Sequence, residues 1–377
     1  MVWAFRAHND VLLSINIYAY SAFMYIRQRK GPFQRILQTI ITRTEKVEKQ
    51  KKLYRNVVQL LGNIVLQCQM KQIEKMKDFY DEFLRDPNPP GSVFAAKLPA
   101  CMVTAYKSGK VLFQGNDAEK EAERWGNRSP AVNKPAVKTA GQKSAAKGTV
   151  PPGIAQMSVI GSDEVGTGDF FGPITVVAAY VKNENIPLLK ELGVKDSKDL
   201  NDPKIIEIAK IIKDVIPYSL MTLKNEKYNQ VQSSGMSQGK MKAILHNQAI
   251  LNVLGKIGPE KPDAILVDQF VQASTYFQHL KGQKSIANEN IYFSTKAEGI
   301  HLAVAAASIL ARYAFIQYID KLSKAAGFTI PKGAGAQVDE AAAKLILKKG
   351  RDVLPAYVKL HFANTEKAIK LAAKKRK

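Results

Sequence analysis

Two adjacent carboxylates, Asp163 and Glu164, are the residues of this chain most clearly placed for chemistry. They follow the short apolar run 158–160 and precede a turn that carries Gly166, Thr167, Gly168 and Gly172. Glycine there lets the chain turn sharply and lets another backbone come close. A carboxylate pair at the end of a strand, beside such a turn, suits a hard divalent cation near a phosphodiester. In-line hydrolysis needs an activated water, a stabilised leaving oxygen and neutralised phosphate charge, and two hard ions about 4 Å apart supply all three. Two more acids fit the same need. Asp268 follows the apolar run 264–267, at the carboxyl end of a predicted strand. Glu298 lies in the first turn of a predicted helix, 297–322, where negative charge is favoured. Each also has an ordinary reading: a solvated turn residue, a strand-end cap, a helix-dipole residue.

The elements that would position these acids alternate in type. Residues 174–181 are β-branched and read as a buried strand, pairing with 158–160 across the glycine turn. A helix begins just beyond residue 200, with Asp202 as cap and Pro203 at its first position, and continues through 205–212. Residues 216–222 read as a strand, 235–253 as a helix, and the chain from about 337 as helical, ending in the basic tail 374–377. Strands alternating with helices predict a mixed α/β sheet covered on both sides. Upstream lies a separate β-α-β-β-β-α pattern. Its strand at 63–68 precedes a helix at 69–85, with Ile73, Met76, Tyr80 and Phe83 at helical spacing and a Pro- and Gly-rich stop at 87–91. Strands at 93–98, 102–106 and 110–114 and a helix at 117–125 complete it. Lys97, Tyr106, Lys107, Lys110 and Phe113 lie on these strands. Interleaved basic and aromatic residues suit a phosphate backbone and stacked bases. Equally, Phe113 is core and the lysines only solvate an edge.

With 56 lysines and arginines against 33 acids among 377 residues, the net charge is +23. Such an excess favours a polyanion, either nucleic acid or an anionic membrane surface. Two cysteines, Cys68 and Cys101, lie far apart without metal-type spacing, which points to a reducing, cytoplasmic setting. Residues 128–153 carry five basic residues and no acid, and read as a flexible basic linker. The basic extension 1–61 is unassigned. Its apolar run 11–26 is short for a membrane span, which takes roughly 20 residues. The extension is a nucleic-acid-binding helix, a disordered arm, or the product of a translation start placed too early, with the true start at or just before Gly62.

The string D-E-x-G-x-G-x-x-x-G-P at 163–173 resembles the active-site signature of the type 2 ribonucleases H, and Thr167 between its glycines resembles ribonuclease HIII in particular. The Asp196-Ser197-Lys198 core is similar to the family's second motif, and Lys359 with 361–365 to a C-terminal one. The resemblance spans about 62–371. It implies a ribonuclease H fold at 154–377 with a helical C-terminal part, and a TATA-binding-protein-like substrate-binding domain at 62–127. It implies Asp163, Glu164, Asp268 and Glu298 as catalytic metal ligands, with Asp163 bridging two Mg²⁺ ions and Mn²⁺ as a substitute. Glu298 stands where relatives can carry Asp. Gly166, Thr167 and Gly168 would read the ribonucleotide strand. Lys198, Tyr106, Lys107, Lys110 and Lys359 would contact nucleic acid. The implied activity is internal cleavage of the RNA strand of RNA–DNA hybrids, leaving 5′-phosphate and 3′-hydroxyl ends. The implied enzyme is monomeric, with no stable protein partner and no membrane. Incision at single ribonucleotides in DNA, as in ribonuclease HII, is the alternative within enzymes. A non-catalytic hybrid-binding protein is the alternative outside them, although four acids would repel bound phosphates without metal.

Overall fold

The computed structural model describes residues 64–89, 91–126 and 149–376. The expected extension 1–61, with its apolar run 11–26, and the expected linker as far as residue 148 lie outside them. The described residues of 63–113 and 118–377 form one compact unit.

Five strands make the larger sheet: β5 (Val159–Val165), β6 (Ile174–Val181), β7 (Tyr218–Leu223), β8 (Ala264–Asp268) and β9 (Ile291–Ser294). Their spatial order is β7-β6-β5-β8-β9. β5 pairs antiparallel with β6 and parallel with β8, so the sheet is mixed. All eight residues of β6 are buried, as its continuous β-branched and alanine run predicts for a strand covered on both faces. β5 runs longer than the expected 158–160 and carries Asp163 and Glu164 within it. Hydrogen bonds to β6 hold both acids in extended backbone.

One face of this sheet is covered by α8 (Leu302–Ala326), which lies along β5 and β6. The stretch Ala303, Val304, Ala305, Ala306, Ala307 is small and fully buried. Gly161 of β5 allows the approach, because a Cβ there would stand 2.2 Å from backbone atoms of Ala303 and Val304. α8 is the one helix among the described residues long and apolar enough to cross a membrane, and 67% of that window is buried in the fold. α4 (Asp202–Val215) packs beside it. Its N-cap is Asn201, whose side chain accepts from Lys204 N, and not Asp202 as the sequence suggests. The Asp202 carboxylate goes instead to Arg312 and Lys332. The opposite face is covered by α6 (Gln238–Ile257), against β5, β6 and β7. The short α3 (Ile186–Glu191), α5 (Asn225–Ser233) and α7 (Ala273–His279) connect these layers. α9 (Ala336–Lys349), α10 (Leu354–Tyr357) and α11 (Asn364–Arg376) share a core with Phe170, Phe171 and Phe315.

The N-terminal part has the expected element order: β1 (Ile64–Gln67), α1 (Met70–Phe79), β2 (Ser92–Lys97), β3 (Met102–Tyr106), β4 (Lys110–Gln114) and α2 (Ala118–Glu123). Its sheet runs β1-β4-β3-β2. Ile73, Met76, Phe94, Val103, Val111 and Phe113 form its core.

Candidate active site

Strand alternation separates the adjacent acids. Successive side chains of a strand point to opposite faces, so Asp163 shares the α8 face with Gly161, and Glu164 shares the α6 face with Ser162. Asp163 is 5% exposed, accepts from Glu164 N at 2.7 Å and is hydrogen-bonded by Ser308 of α8. Burial pushes its carboxyl well above the usual carboxylate range. The Ser308 bond opposes this, and the negative charges of Glu164, Glu298 and Asp268 add to it. Glu164 has the reverse setting. Lys242 Nζ donates to Oε1 at 2.7 Å and His246 Nε2 lies 2.8 Å from Oε2. Burial pushes the Glu164 carboxyl up, but the hydrogen bonds and charges of His246 and Lys242 outweigh it and bring it to about 2. Ser162 Oγ donates to Val177 O at 2.9 Å and lies 2.7 Å from His246 Nδ1, so both ring nitrogens are placed to donate.

The parallel register pairs Ser162 with Val267, so Asp163 and Asp268 come level at the ends of neighbouring strands. Asp268 Oδ1 accepts from Ala297 N at 2.9 Å. This fixes the short 3₁₀ turn Ala297–Gly299 that carries Glu298. The sequence places Glu298 in the long helix itself. The structure starts that helix at Leu302, after His301 caps it by accepting from Ala303 N at 2.9 Å. Glu298 is 5% exposed. Its Oε2 accepts from Ser197 N at 2.9 Å and its Oε1 lies 3.2 Å from Lys198 Nζ. The Glu298 hydrogen bond is the leading cause that raises the Lys198 ammonium above its ordinary value. Arg312 of α8 holds this loop by donating to Ser197 O at 2.6 Å and Leu200 O at 2.9 Å.

The four acids therefore meet at one end of the sheet, within mutual electrostatic reach of Asp163. Their hard oxygen donors, with Asp163 itself lacking a cationic partner among the described residues, fit a hard divalent cation. As they stand, no three described His, Cys, Asp or Glu side chains converge as ligands. Glu164 and Glu298 are turned onto protein donors.

The neighbouring turn is braced from outside the sheet. Gly166 has φ +97°, and a Cβ there would stand 2.1 Å from Pro173 O. Gln238 Nε2 donates to Thr167 O at 3.2 Å, while the buried Thr167 Oγ1 has no hydrogen-bond partner.

Comparison with known proteins gives this site its family. The ribonuclease HII family matches residues 160–365, and a domain of unknown function (DUF3378) matches 63–138. Ribonuclease HIII of Bacillus subtilis (strain 168) is 60% identical over 316 residues, which are 84% of this chain and 100% of that protein. The chain belongs to the ribonuclease HIII family. Ribonuclease HIII of Bacillus velezensis is 58% identical over the same length. The crystal structure of Bst-RNase HIII in complex with Mn²⁺ is 44% identical, with a TM-score of 0.58, covering 83% of this chain and all of that one. The protein is a ribonuclease H enzyme of mixed α/β fold.

Within this ribonuclease HIII scaffold, three expected nucleic-acid contacts are corrected. Lys359 is fully buried. Its Nζ donates to Asp169 O at 2.7 Å and Gly172 O at 2.6 Å, tying the glycine turn to the C-terminal helices. Burial pushes its ammonium down to about 7, against the nearby Asp169 charge. Tyr106 is 1% exposed and shares a core with Ile186, Leu189 and Leu192 of the catalytic part. Lys110 is buried and donates to Asn185 Oδ1 at 2.9 Å. All three side chains are consumed by packing inside the protein. Lys107 and Lys198 remain at the surface, Lys198 with a 69% exposed side chain. The sequence reading missed Lys242, His246, Ser162, Ser308 and Arg312. The one signal for the first two is a Lys and a His four apart amid the apolar positions of a helix.

Proposed function

We propose that Asp163, Glu164, Asp268 and Glu298 hold the divalent cations, Mg²⁺ with Mn²⁺ as a substitute, at which the RNA strand of an RNA–DNA hybrid is cut internally. The environment of Asp163 supports this most directly. It is an almost fully buried carboxylate, partnered by a hydroxyl and a backbone N–H, with three more carboxylates close enough to disfavour its charge. A buried carboxylate with no cationic partner among the described residues is costly to ionise unless a cation joins it.

Divalent ions held there would supply the activated water, the stabilised leaving oxygen and the neutralised phosphate charge. The chain's own residues prepare the site. Ser308 orients Asp163, Ala297 N orients Asp268, and Ser197 N orients Glu298. Lys198, exposed beside Glu298, is available to a phosphate oxygen of the bound strand. The 166–168 turn, held by Gln238 at Thr167 O and followed by the Lys359 bonds to Asp169 O and Gly172 O, presents backbone groups to the ribose 2′-hydroxyl. Water adds to phosphorus and the P–O3′ bond breaks, leaving a 5′-phosphate and, once the oxygen takes a proton, a 3′-hydroxyl. The two cysteines, Cys68 and Cys101, both buried, suit work in the reducing cytoplasm.

Two labelled duplexes test the reading with Mg²⁺: one with a continuous RNA strand against DNA, one with a single ribonucleotide in DNA. Cutting of the first, with little of the second, is expected. Efficient cutting at the single ribonucleotide would move the assignment to ribonuclease HII-like incision.

A further inference from the structure

Glu164 differs from the other three acids in having both oxygens held by side chains of one helix. Lys242 and His246, four residues apart on α6, grip Oε1 and Oε2 at 2.7 and 2.8 Å. The grip is shielded from water: the side chains are 10% exposed for Lys242, 0% for His246 and 12% for Glu164. The lysine beside Glu298, in contrast, is mostly in solvent and easily drawn away. Asp163 points to the opposite face of the sheet and meets a hydroxyl instead.

We propose that Lys242 and His246 park Glu164, so that Glu164 becomes a ligand for a divalent cation only by exchange against Lys242. The inference rests on the divalent-metal reading of the acid cluster. A unit positive charge 2.7 Å from a ligand oxygen repels an incoming cation strongly in a site so poor in water. Lys242 does not leave without a substitute, because a broken buried pair strands a charge. The ammonium is not left without a partner by the exchange, because its Nζ already lies 4.2 Å from the centroid of Phe270, over the ring. Cation binding is therefore divided. The Asp163 side of the site binds first and more tightly, and the side that needs Glu164 binds weakly, at a level set by Lys242.

Calorimetric titration of Mn²⁺ into the substrate-free full chain tests this. Lys242→Met keeps the length and apolar stem of the side chain and is expected to tighten the weaker Mn²⁺ class by about tenfold or more, the scale of one shielded charge at a few ångströms. Lys242→Arg is expected to bind as the wild type does. In a Glu164→Gln background, Lys242→Met is expected to change nothing. Unchanged or weaker Mn²⁺ binding by folded Lys242→Met would overturn the proposal, as would the same tightening without Glu164. If Lys242→Met does not fold, Lys242→Gln is read in the same way. Absent Mn²⁺ binding by the wild type, or binding unaltered by Asp163→Asn, would instead sink the metal reading and the proposal with it.

Discussion

At the scale of single residues, burial sets what an ionisable group does unless close partners outweigh it, as they do at Glu164. His301 shows this away from the acids. Its Nδ1 accepts from Ala303 N, so Nε2 carries the hydrogen and donates to Met157 O at 3.1 Å. Burial pushes the ring down to about 4, with the Met157 carbonyl opposing. The folded protein thus binds fewer protons than the unfolded chain between about pH 4 and 6.5. The stabilising contribution is full above about 6.5 and is lost as pH falls through that window, by about 2 kcal/mol at pH 5. Urea unfolding at pH 7 and pH 5 checks it: His301→Asn, which can still cap but does not titrate, should lose about 2 kcal/mol less than the wild type between the two. The acids were legible because Asp163 and Glu164 sit in a long, specific string. Lys242 and His246 were not, because nothing in the order of residues says that α6 crosses β5 at Glu164. Nor does adjacency in sequence reveal that strand alternation sends Asp163 and Glu164 to different helices.

At the scale of elements, segments with a clear apolar pattern between turn signals were readable, including the short strands β1–β4 and β8, and several short connecting elements were not. β6 was expected with its observed bounds, because a continuous β-branched run has few other uses. α3, α5, α7 and β9 escaped, being four to nine residues long and shaped by their neighbours. The separation of the Glu298 turn from α8 was also hidden, since the His301 cap is a local hydrogen bond with no periodic signature. The β5–α8 contact is the element-level feature that most constrains the site, for it sets Asp163 against Ser308. Gly161→Ala should therefore destabilise the protein by about 1–3 kcal/mol through overpacking onto helix backbone. Gly168→Ala, whose Cβ would meet nothing within 4 Å, should stay within about 0.5 kcal/mol. Denaturant unfolding of the two variants separates them. Equal losses would show that the helix can move aside.

At the scale of the whole molecule, the sheet of the N-terminal part serves partly as an internal interface. Tyr106 and Leu112 join the catalytic core, Ser108 donates to Glu191 at 2.9 Å, and Lys110 donates to Asn185. The sequence showed the strands and their basic and aromatic residues, but periodicity alone does not say which face meets protein and which meets solvent. Tyr106→Ala should cost roughly 3 kcal/mol of stability, as large aromatic truncations do in cores. Lys107→Ala should leave stability alone and make hybrid binding less steeply salt-dependent, as loss of one phosphate contact does. Urea unfolding and binding titrations at several salt concentrations read the two effects separately. On the proposed reading the basic chain and the buried acids around Asp163 would divide the work: positive charge would collect the polyanion, and cations held by the carboxylates would serve its cleavage. The most direct test of that division compares wild type and Asp163→Asn on a continuous RNA–DNA hybrid with Mg²⁺, measuring cleavage and binding in the same samples. Hybrid binding within about twofold of wild type with cleavage reduced by at least about a thousandfold is the predicted result. Near-normal turnover by Asp163→Asn would contradict the account.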